Sequence, residues 1–199
     1  MQKLTEQYNK IKKDLIIRLD NFKVLSEEDK FKEFLFCLLT PQSNAQRCWQ
    51  AVEQISQLEK LDEKSVYDIL KTKTRFHKTK TLRIMNSKEM WQNIQKYLKD
   101  QTGKELRNSI AKTVNGYGLK EAGHFLRNIG LSDNKIAILD RHILRNLQNF
   151  NVISESKIKS SKNYLEIEEA YLNFANSINI PADHLDMLWW SQENGEIFK

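Results

Sequence analysis

An all-α fold is the first prediction from this sequence, and three observations support it. Apolar residues recur at the spacing of an amphipathic helix over most of the chain. Only two prolines and six glycines stand among the 199 residues, so few positions interrupt helices. Runs rich in Val, Ile and Thr, which are typical of strands, are absent. This length suffices for one domain or for two small lobes.

The first half of the sequence predicts helices separated by short turns. The helix over 28–40 ends at Thr40-Pro41, because a residue before proline disfavours the helical conformation. Ser43 is then expected to cap the next helix, which extends to about Gln57. The helices predicted for this half span 3–19, 28–40, 43–57, 62–70 and, as one long basic helix, 75–99.

The second half predicts a pair of helices joined by a tight turn, followed by three further helices. Gly103 opens the first of the pair, which ends at 115–118 (Asn-Gly-Tyr-Gly), since Asn and Gly tolerate the positive φ angle of a helix C-terminus. The second of the pair runs from Lys120 to about Asn128, so a helix–hairpin–helix segment spans about 104–129. The last three helices are predicted at 141–149, 155–178 and 182–194.

The composition excludes several kinds of protein. The formal net charge of +6 is compatible with a polyanionic partner but does not establish one. No stretch approaches the ~20 consecutive apolar residues of a membrane span, so we expect a soluble intracellular protein that has no membrane partner. Cys37 and Cys48 lie eleven residues apart and are too few for a disulfide scaffold, a zinc site or a four-cysteine iron–sulfur cluster. We therefore predict buried thiols, no metal and no cofactor.

Two residues of the second half carry the chemistry that the sequence suggests. Lys120 falls in the first turn of the helix after the Gly-x-Gly turn, where the positive end of the helix dipole favours the neutral amine that a nucleophilic lysine needs. Asp140 precedes the helix over 141–149, either as a plain N-cap or as a carboxylate that stabilises a cationic sugar and helps to take a proton from Lys120. The backbone N–H groups of Gly116 and Gly118 are expected to meet a DNA phosphate.

Two segments carry a resemblance to a known protein family. Residues 115–128 (NGYGLKEAGHFLRN) and 138–145 (ILDRHILR) closely resemble the helix-hairpin-helix superfamily of DNA glycosylases. In particular, they are similar to the archaeal-type 8-oxoguanine DNA glycosylase/AP lyases, a family that also occurs in some bacteria. The resemblance covers nearly the whole chain. Its other parts are 38–43 (LLTPQS), 75–80 (RFHKTK) and the Leu188-Trp189-Trp190 run that leads to Lys199.

The resemblance implies a two-lobed helical fold in which residues 1–199 form one glycosylase unit with the active-site cleft between its lobes. It implies that Lys120 is the nucleophile that forms a Schiff base and that Asp140 is the essential carboxylate. The implied activity is excision of 8-oxoguanine from double-stranded DNA, followed by β-elimination at the abasic site. We also expect a monomer that acts in the cytoplasm of a prokaryote, at the nucleoid.

The resemblance also indicates which residues contact the damaged base. Phe76 and Trp190 are expected to stack on the flipped base, whereas Trp189 is expected in the core. The Pro41 carbonyl is expected to accept the N7–H hydrogen that distinguishes 8-oxoguanine from guanine. Asp186 is expected to accept hydrogen bonds from the Watson–Crick edge.

Further residues are expected to contact the base or the DNA backbone. Lys199 is expected to touch the flipped base through its amine or a free carboxylate. Gln42 either fills the space that the flipped nucleotide leaves or faces solvent in a turn. Arg141 and His142 are expected to hold the phosphate beside the lesion. The basic stretch 71–83 is expected to contact the backbone, a role that carries no sequence information.

Two alternatives remain open at the level of sequence. A lyase of the same superfamily with another substrate, such as an oxidised pyrimidine, is disfavoured by the missing cysteine cluster and by the arrangement of Trp190 and Lys199. A non-catalytic helix-hairpin-helix module that binds only the DNA backbone has no need for both Lys120 and Asp140.

Overall fold

The computed structural model describes residues 2–199, which form eleven α-helices and no strand. This architecture confirms the predicted all-α class. In chain order the helices are α1 (Gln2–Lys23), α2 (Glu27–Leu39), α3 (Ala45–Ser56), α4 (Glu63–Lys73), α5 (His77–Met85), α6 (Ser87–Asp100), α7 (Gly103–Thr113), α8 (Leu119–Asn128), α9 (Arg141–Asn149), α10 (Ser161–Ser177) and α11 (Ala182–Asn194).

The basic stretch that was predicted as one helix is two helices. Asn86 ends α5 and precedes α6, with φ −89° and ψ 2°, values outside the helical region. The first of these helices also begins later than predicted, because Phe76 adopts the left-handed conformation with φ 56°. The prediction of a single helix was therefore wrong at both places, since amphipathic spacing alone does not reveal a one-residue interruption.

Two other predicted boundaries were wrong by a few residues. Asn44, not Ser43, caps α3, and its side chain accepts the N–H of Arg47 at 3.0 Å. The Ser43 hydroxyl oxygen instead accepts hydrogen bonds from Lys80 and Arg75. The tenth helix begins at Ser161, because Ser160 caps it and accepts a backbone N–H, so residues 155–160 are not helical.

The described chain divides into two compact units. The central unit is Leu25–Phe125, and the terminal unit consists of the chain up to Val24 together with Leu126–Lys199. In the central unit, an aromatic cluster surrounds Phe34, with ring centroids between 5.6 and 6.2 Å apart. Each such pair adds about 0.5–1.5 kcal/mol beyond the burial of its apolar area. The rings around Phe34 are those of Phe31, Trp91, Tyr117 and Phe125.

The terminal unit has its own aromatic core, in which α11 packs against α1, α9 and α10. Trp189 is 1% exposed and lies parallel to the rings of Phe150 and Phe174, at centroid distances of 5.9 and 6.0 Å. This placement confirms the prediction that Trp189 belongs to the core.

Cys37 and Cys48 are both buried, as predicted. Burial raises the pKa of the Cys48 thiol to about 11, so this thiol stays protonated near neutral pH. Among the described residues, no helix is both long and apolar enough to cross a membrane.

Candidate active site

The turn at 114–118, between α7 and α8, is fixed to the central unit from two sides. Tyr117 is buried, and its hydroxyl donates a hydrogen bond to the Phe34 carbonyl at 2.8 Å. Gly116 has φ +103°, and a Cβ atom placed there would lie 2.5 Å from Nε of Arg83. Glycine adopts this positive φ angle without strain, and it is the one residue without a Cβ atom that would displace the Arg83 side chain. The start of α8, and with it Lys120, is thereby held in one place.

Lys120 forms an ion pair with the next residue in the chain. Its Nζ lies 2.9 Å from Oε1 of Glu121, while Oε2 of the same carboxylate accepts the Gly118 N–H at 3.0 Å. The sequence suggested that this N–H would face a DNA phosphate. In the structure this N–H is bonded to Glu121, because the glycine before α8 offers no capping side chain and the carboxylate three residues later caps the helix instead. The second oxygen of that carboxylate then reaches the proposed nucleophile. A contact of Gly118 with a DNA phosphate stays a prediction.

Asp140 lies at the end of an extended segment that α10 holds in place. The Ala137 N–H donates to Glu168 at 2.9 Å, and the Ala137 carbonyl accepts from the Tyr164 hydroxyl at 2.7 Å. Asp140 then caps α9, and its Oδ1 accepts the backbone N–H groups of His142 and Ile143 at 2.8 and 2.9 Å. Both bonds use Oδ1, so capping leaves Oδ2 for another role. The two functions considered for this residue are therefore compatible.

Asp186 is a buried carboxylate in the same unit. Its Oδ2 lies 3.3 Å from Nη1 of Arg127, and both side chains are at most 10% exposed. The pKa of Asp186 is raised to about 7, mainly by burial; the positive charge of Arg127 opposes the rise, and the negative charge of Asp140 contributes to it. Its partner in the structure is thus Arg127, and its contact with a base stays a prediction.

Replacing Asp186 with Asn is expected to change how stability depends on pH. The folded carboxyl has a pKa near 7 against an ordinary value of 3.8, so between these values the folded state holds a proton that the unfolded state has lost. Wild-type stability therefore falls as pH rises towards 7. From pH 5 to pH 8 the variant should gain about 3 kcal/mol relative to the wild type. Thermal unfolding at both pH values measures this, and parallel profiles would contradict it.

Lys80 is a buried cation that holds the turn after α2. Its side chain is 1% exposed, and Nζ donates to the carbonyl oxygens of Leu39 and Pro41 at 2.7 and 2.9 Å and to Oγ of Ser43 at 2.8 Å. Burial lowers its pKa to about 8. The basic stretch 71–83 was predicted as a surface that contacts the DNA backbone. Lys80 does not lie on that surface, because three protein acceptors replace water around its ammonium group.

Two exposed residues beside Lys80 have a strained backbone. Gln42 and Phe76 have φ angles of 54° and 56°, which cost roughly 1–3 kcal/mol for residues other than glycine. Ser43 connects their segments, since its Oγ also accepts the Arg75 N–H at 2.9 Å. The Phe76 ring is 55% exposed and lies 5.5 Å from the Arg75 guanidinium. Both side chains are therefore accessible, and their contacts with DNA stay predictions.

Trp190 and the last residues of the sequence lie together in the terminal unit. The Trp190 ring, which is partly exposed, stacks on Phe198 at a centroid distance of 6.2 Å. Arg18 Nε donates to the Phe198 carbonyl at 2.7 Å, which fixes the backbone next to Lys199. The Lys199 side chain is buried rather than frayed. A role of these residues in binding a base stays a prediction.

Arg141 and His142, predicted to hold a phosphate, belong to a cluster of charged side chains. Arg141 Nε donates to Nε2 of His142 at 3.2 Å, and Nδ1 of His142 lies 3.3 Å from Glu193. Arg145 also pairs with Glu193 and is the main reason that the pKa of this glutamate is lowered. A contact of Arg141 and His142 with a phosphate stays a prediction.

The predicted site residues are distributed over both units. The central unit contains Pro41, Gln42, Phe76, Gly116, Gly118 and Lys120, and the terminal unit contains Asp140, Arg141, His142, Asp186, Trp190 and Lys199.

Three residues of the candidate site, Glu121, Lys80 and Arg127, were not predicted from the sequence. The spacing of Gly118 and Glu121 matches the second half of a capping box and could have revealed the glutamate. The other two have partners far away in the sequence, so no local pattern indicates them.

Comparison with known proteins supplies the context for this geometry. The sequence model of the family described as 8-oxoguanine DNA glycosylase matches residues 15–180. An 8-oxoguanine DNA glycosylase/AP lyase from Fusobacterium nucleatum is 38% identical, over 92% of this chain and 89% of that protein. The crystal structure of the Methanocaldococcus jannaschii 8-oxoguanine glycosylase/lyase in complex with 15mer DNA containing 8-oxoguanine superposes with a TM-score of 0.87 at 31% identity, covering 100% of this chain and 98% of that one. For the Thermotoga maritima 8-oxoguanine DNA glycosylase, the TM-score is 0.85 at 27% identity, covering 100% and 97%.

Proposed function

This chain belongs to the 8-oxoguanine DNA glycosylase family, and we propose that it excises 8-oxoguanine from double-stranded DNA and then cleaves the strand at the abasic site. The observation that carries the proposal is Lys120, an amine in the first turn of α8 whose position is fixed by the turn before it. A monofunctional glycosylase needs no such amine, whereas a lyase needs one at C1′ of the sugar. We place the activity in the cytoplasm, at the nucleoid.

The damaged nucleotide must leave the duplex before any of these residues can reach it. Extrusion costs a few kcal/mol, which stacking in a pocket and a side chain that fills the gap can offset. We assign the gap-filling role to Gln42 and the stacking roles to Phe76 and Trp190, with the Pro41 carbonyl as acceptor for N7–H. We also assign contacts with the flipped base to Asp186 and Lys199.

The proposed chemistry begins when the neutral amine of Lys120 attacks C1′, the bond from C1′ to the base breaks, and the released base takes up one proton from Nζ. Positive charge develops on the sugar, and the Asp140 carboxylate stabilises it through Oδ2 while Oδ1 caps α9. The sugar ring then opens to an imine between Nζ and C1′. Removal of a proton from C2′ expels the 3′ phosphate, so the strand is cut by β-elimination, and water releases the enzyme from the imine.

The proposal is tested with a duplex that carries one 8-oxoguanine. Wild-type protein should release free 8-oxoguanine, detected by mass spectrometry, and borohydride should trap a covalent protein–DNA adduct, while a matched duplex with guanine gives neither product. An adduct on a pre-formed abasic duplex but not on 8-oxoguanine would retain the lyase and refute the assigned base, and duplexes with oxidised pyrimidines would then be assayed. No adduct on either would indicate a DNA-binding module without catalysis.

A further inference from the structure

The Glu121 carboxylate contacts the proposed nucleophile directly. Its Oε1 lies 2.9 Å from Lys120 Nζ, and the Glu121 side chain is 13% exposed against 30% for Lys120. Oε2 is occupied by the Gly118 N–H at 3.0 Å, which leaves Oε1 to the lysine. Because the carboxylate is anchored by its own helix and partly shielded from water, it forms a stronger and better-defined contact than a solvated ion pair on a surface.

Helix capping explains only one of the two Glu121 contacts. Five helices, namely α2, α3, α4, α9 and α10, are capped by the side chain of the residue that precedes them, as Ser26 caps α2 and Asp62 caps α4. Before α8 that place is taken by Gly118, where an added Cβ would lie 3.2 Å from Oε2 of Glu121. Glycine thus leaves room for the carboxylate to fold back over the first turn. Folding back is what brings its second oxygen to Nζ of Lys120.

We propose that Glu121 is the catalytic proton acceptor that converts Lys120 from ammonium to nucleophilic amine. One N–H proton passes from Nζ to Oε1 along the 2.9 Å contact, which leaves a neutral amine and a neutral carboxyl group. At an abasic site the nitrogen lone pair forms a bond to the C1′ aldehyde carbon. A further proton moves from nitrogen to the former carbonyl oxygen, giving a carbinolamine.

The proton that Glu121 accepted from Lys120 is used again in the second half of the step. The Glu121 carboxyl returns it to the carbinolamine hydroxyl, water leaves, and the C1′–Nζ bond becomes a protonated imine. Of the three ammonium protons, one remains on the imine nitrogen and two depart in the water molecule. The ammonium and the carboxylate sum to zero charge before the step, the protonated imine and the carboxylate sum to zero after it, and Glu121 ends as the carboxylate with which it began.

Asp140 was expected both to stabilise the cationic sugar and to take a proton from Lys120, and this proposal assigns the second task to Glu121. Asp140 uses Oδ1 to cap α9, and its remaining oxygen serves the cationic sugar in the proposed function. Proton removal from Lys120 then belongs to the carboxylate that already touches it. The inference rests on the proposed lyase chemistry, and it adds a catalytic residue to it.

The Glu121→Gln variant tests the proposal because it keeps the cap and removes the base. The amide oxygen still accepts the Gly118 N–H, so thermal unfolding should stay close to that of the wild type. Strand cleavage of a pre-formed abasic duplex, measured in single turnover with excess protein, should slow by on the order of 100-fold. The matched control is Asp62→Asn, the same change from carboxylate to amide at the start of α4, and its cleavage rate should equal that of the wild type.

Whether Glu121→Gln slows or accelerates strand cleavage distinguishes a catalytic proton acceptor from an ion pair without a catalytic role. A carboxylate that merely accompanies the amine favours the ammonium form, so its removal would leave cleavage unchanged or make it faster. Either of those outcomes with Glu121→Gln overturns the proposal while the wild-type lyase stands. If wild-type protein itself forms no trapped adduct on the abasic duplex, the proposed function fails and Glu121 has no catalytic role to play.

Discussion

The Lys120→Gln variant is expected to form no borohydride-trapped adduct and to lose strand cleavage by at least about a thousandfold. An amide nitrogen cannot form an imine, and no general acid or base replaces a missing covalent nucleophile. The fold should be unaffected, because Lys120 is partly exposed and glutamine has a similar helix propensity. The measurement is denaturing electrophoresis of the trapped complex on a duplex with one 8-oxoguanine and, in parallel, on an abasic duplex.

Lys104→Gln is the matched control for this experiment. Lys104 is exposed and is the second residue of α7, as Lys120 is of α8. The change of side chain, the place in the helix and the loss of one positive charge are therefore the same in both variants. Lys104→Gln should trap and cleave like the wild type. A full adduct with Lys120→Gln would show that another amine of the protein is the nucleophile.

The helices and the two residues of the proposed chemistry could be predicted because their signals are local. The apolar period of α9 and the aspartate before it are neighbours in the sequence, and the structure has the predicted bounds for that helix. Lys120 was identified by the Gly-x-Gly turn two residues before it. Glu121 stands in the same motif and was missed, because a glutamate after a lysine in a basic protein is most simply an exposed ion pair.

Lys80 could not be identified from the sequence. It stands in the basic stretch 71–83, which was predicted as a whole to form a surface that contacts the DNA backbone. Its acceptors Leu39, Pro41 and Ser43 lie 41, 39 and 37 positions earlier. Only the packing of α2 and α5 reveals which lysine of the run is buried. The left-handed backbone of Gln42 and Phe76 could not be predicted either. Non-local contacts hold both residues in a conformation that residues other than glycine disfavour.

Replacing Lys80 with Met is expected to impair base excision far more than strand cleavage at an existing abasic site. The Pro41 carbonyl and the Ser43 hydroxyl would lose their bonds to Nζ, and the turn that carries Gln42 would relax. Misplacement by about 1 Å can cost on the order of 100-fold in rate, so 8-oxoguanine release should fall by that order. Cleavage of an abasic duplex requires Lys120 but no reading of the base, so it should fall only a few-fold.

The expected loss of stability in Lys80→Met is small, because two large effects oppose each other. Each hydrogen bond from the ammonium contributes about 1.5–3 kcal/mol, and three are removed. Against this, methionine has no charge to desolvate, and burial of the lysine is costly enough to lower its pKa from 10.5 to about 8. Circular dichroism should therefore show a folded protein, which allows the loss of excision to be attributed to the position of the turn.

A second substitution distinguishes the effect of Lys80 on the position of the turn from the effect of its positive charge on Lys120. Lys80 also repels Lys120, although this interaction is the smallest of the causes that shift the Lys80 pKa. Ser43→Ala keeps the buried cation and removes the hydroxyl that joins the Pro41 turn to the Arg75 segment. It should reduce excision of 8-oxoguanine in the same direction by about 10-fold, within the cost of misplacement, and leave abasic cleavage unchanged. If Lys80→Met slows both reactions equally and Ser43→Ala slows neither, the cation acts through its charge on Lys120, and the turn has no part in base recognition.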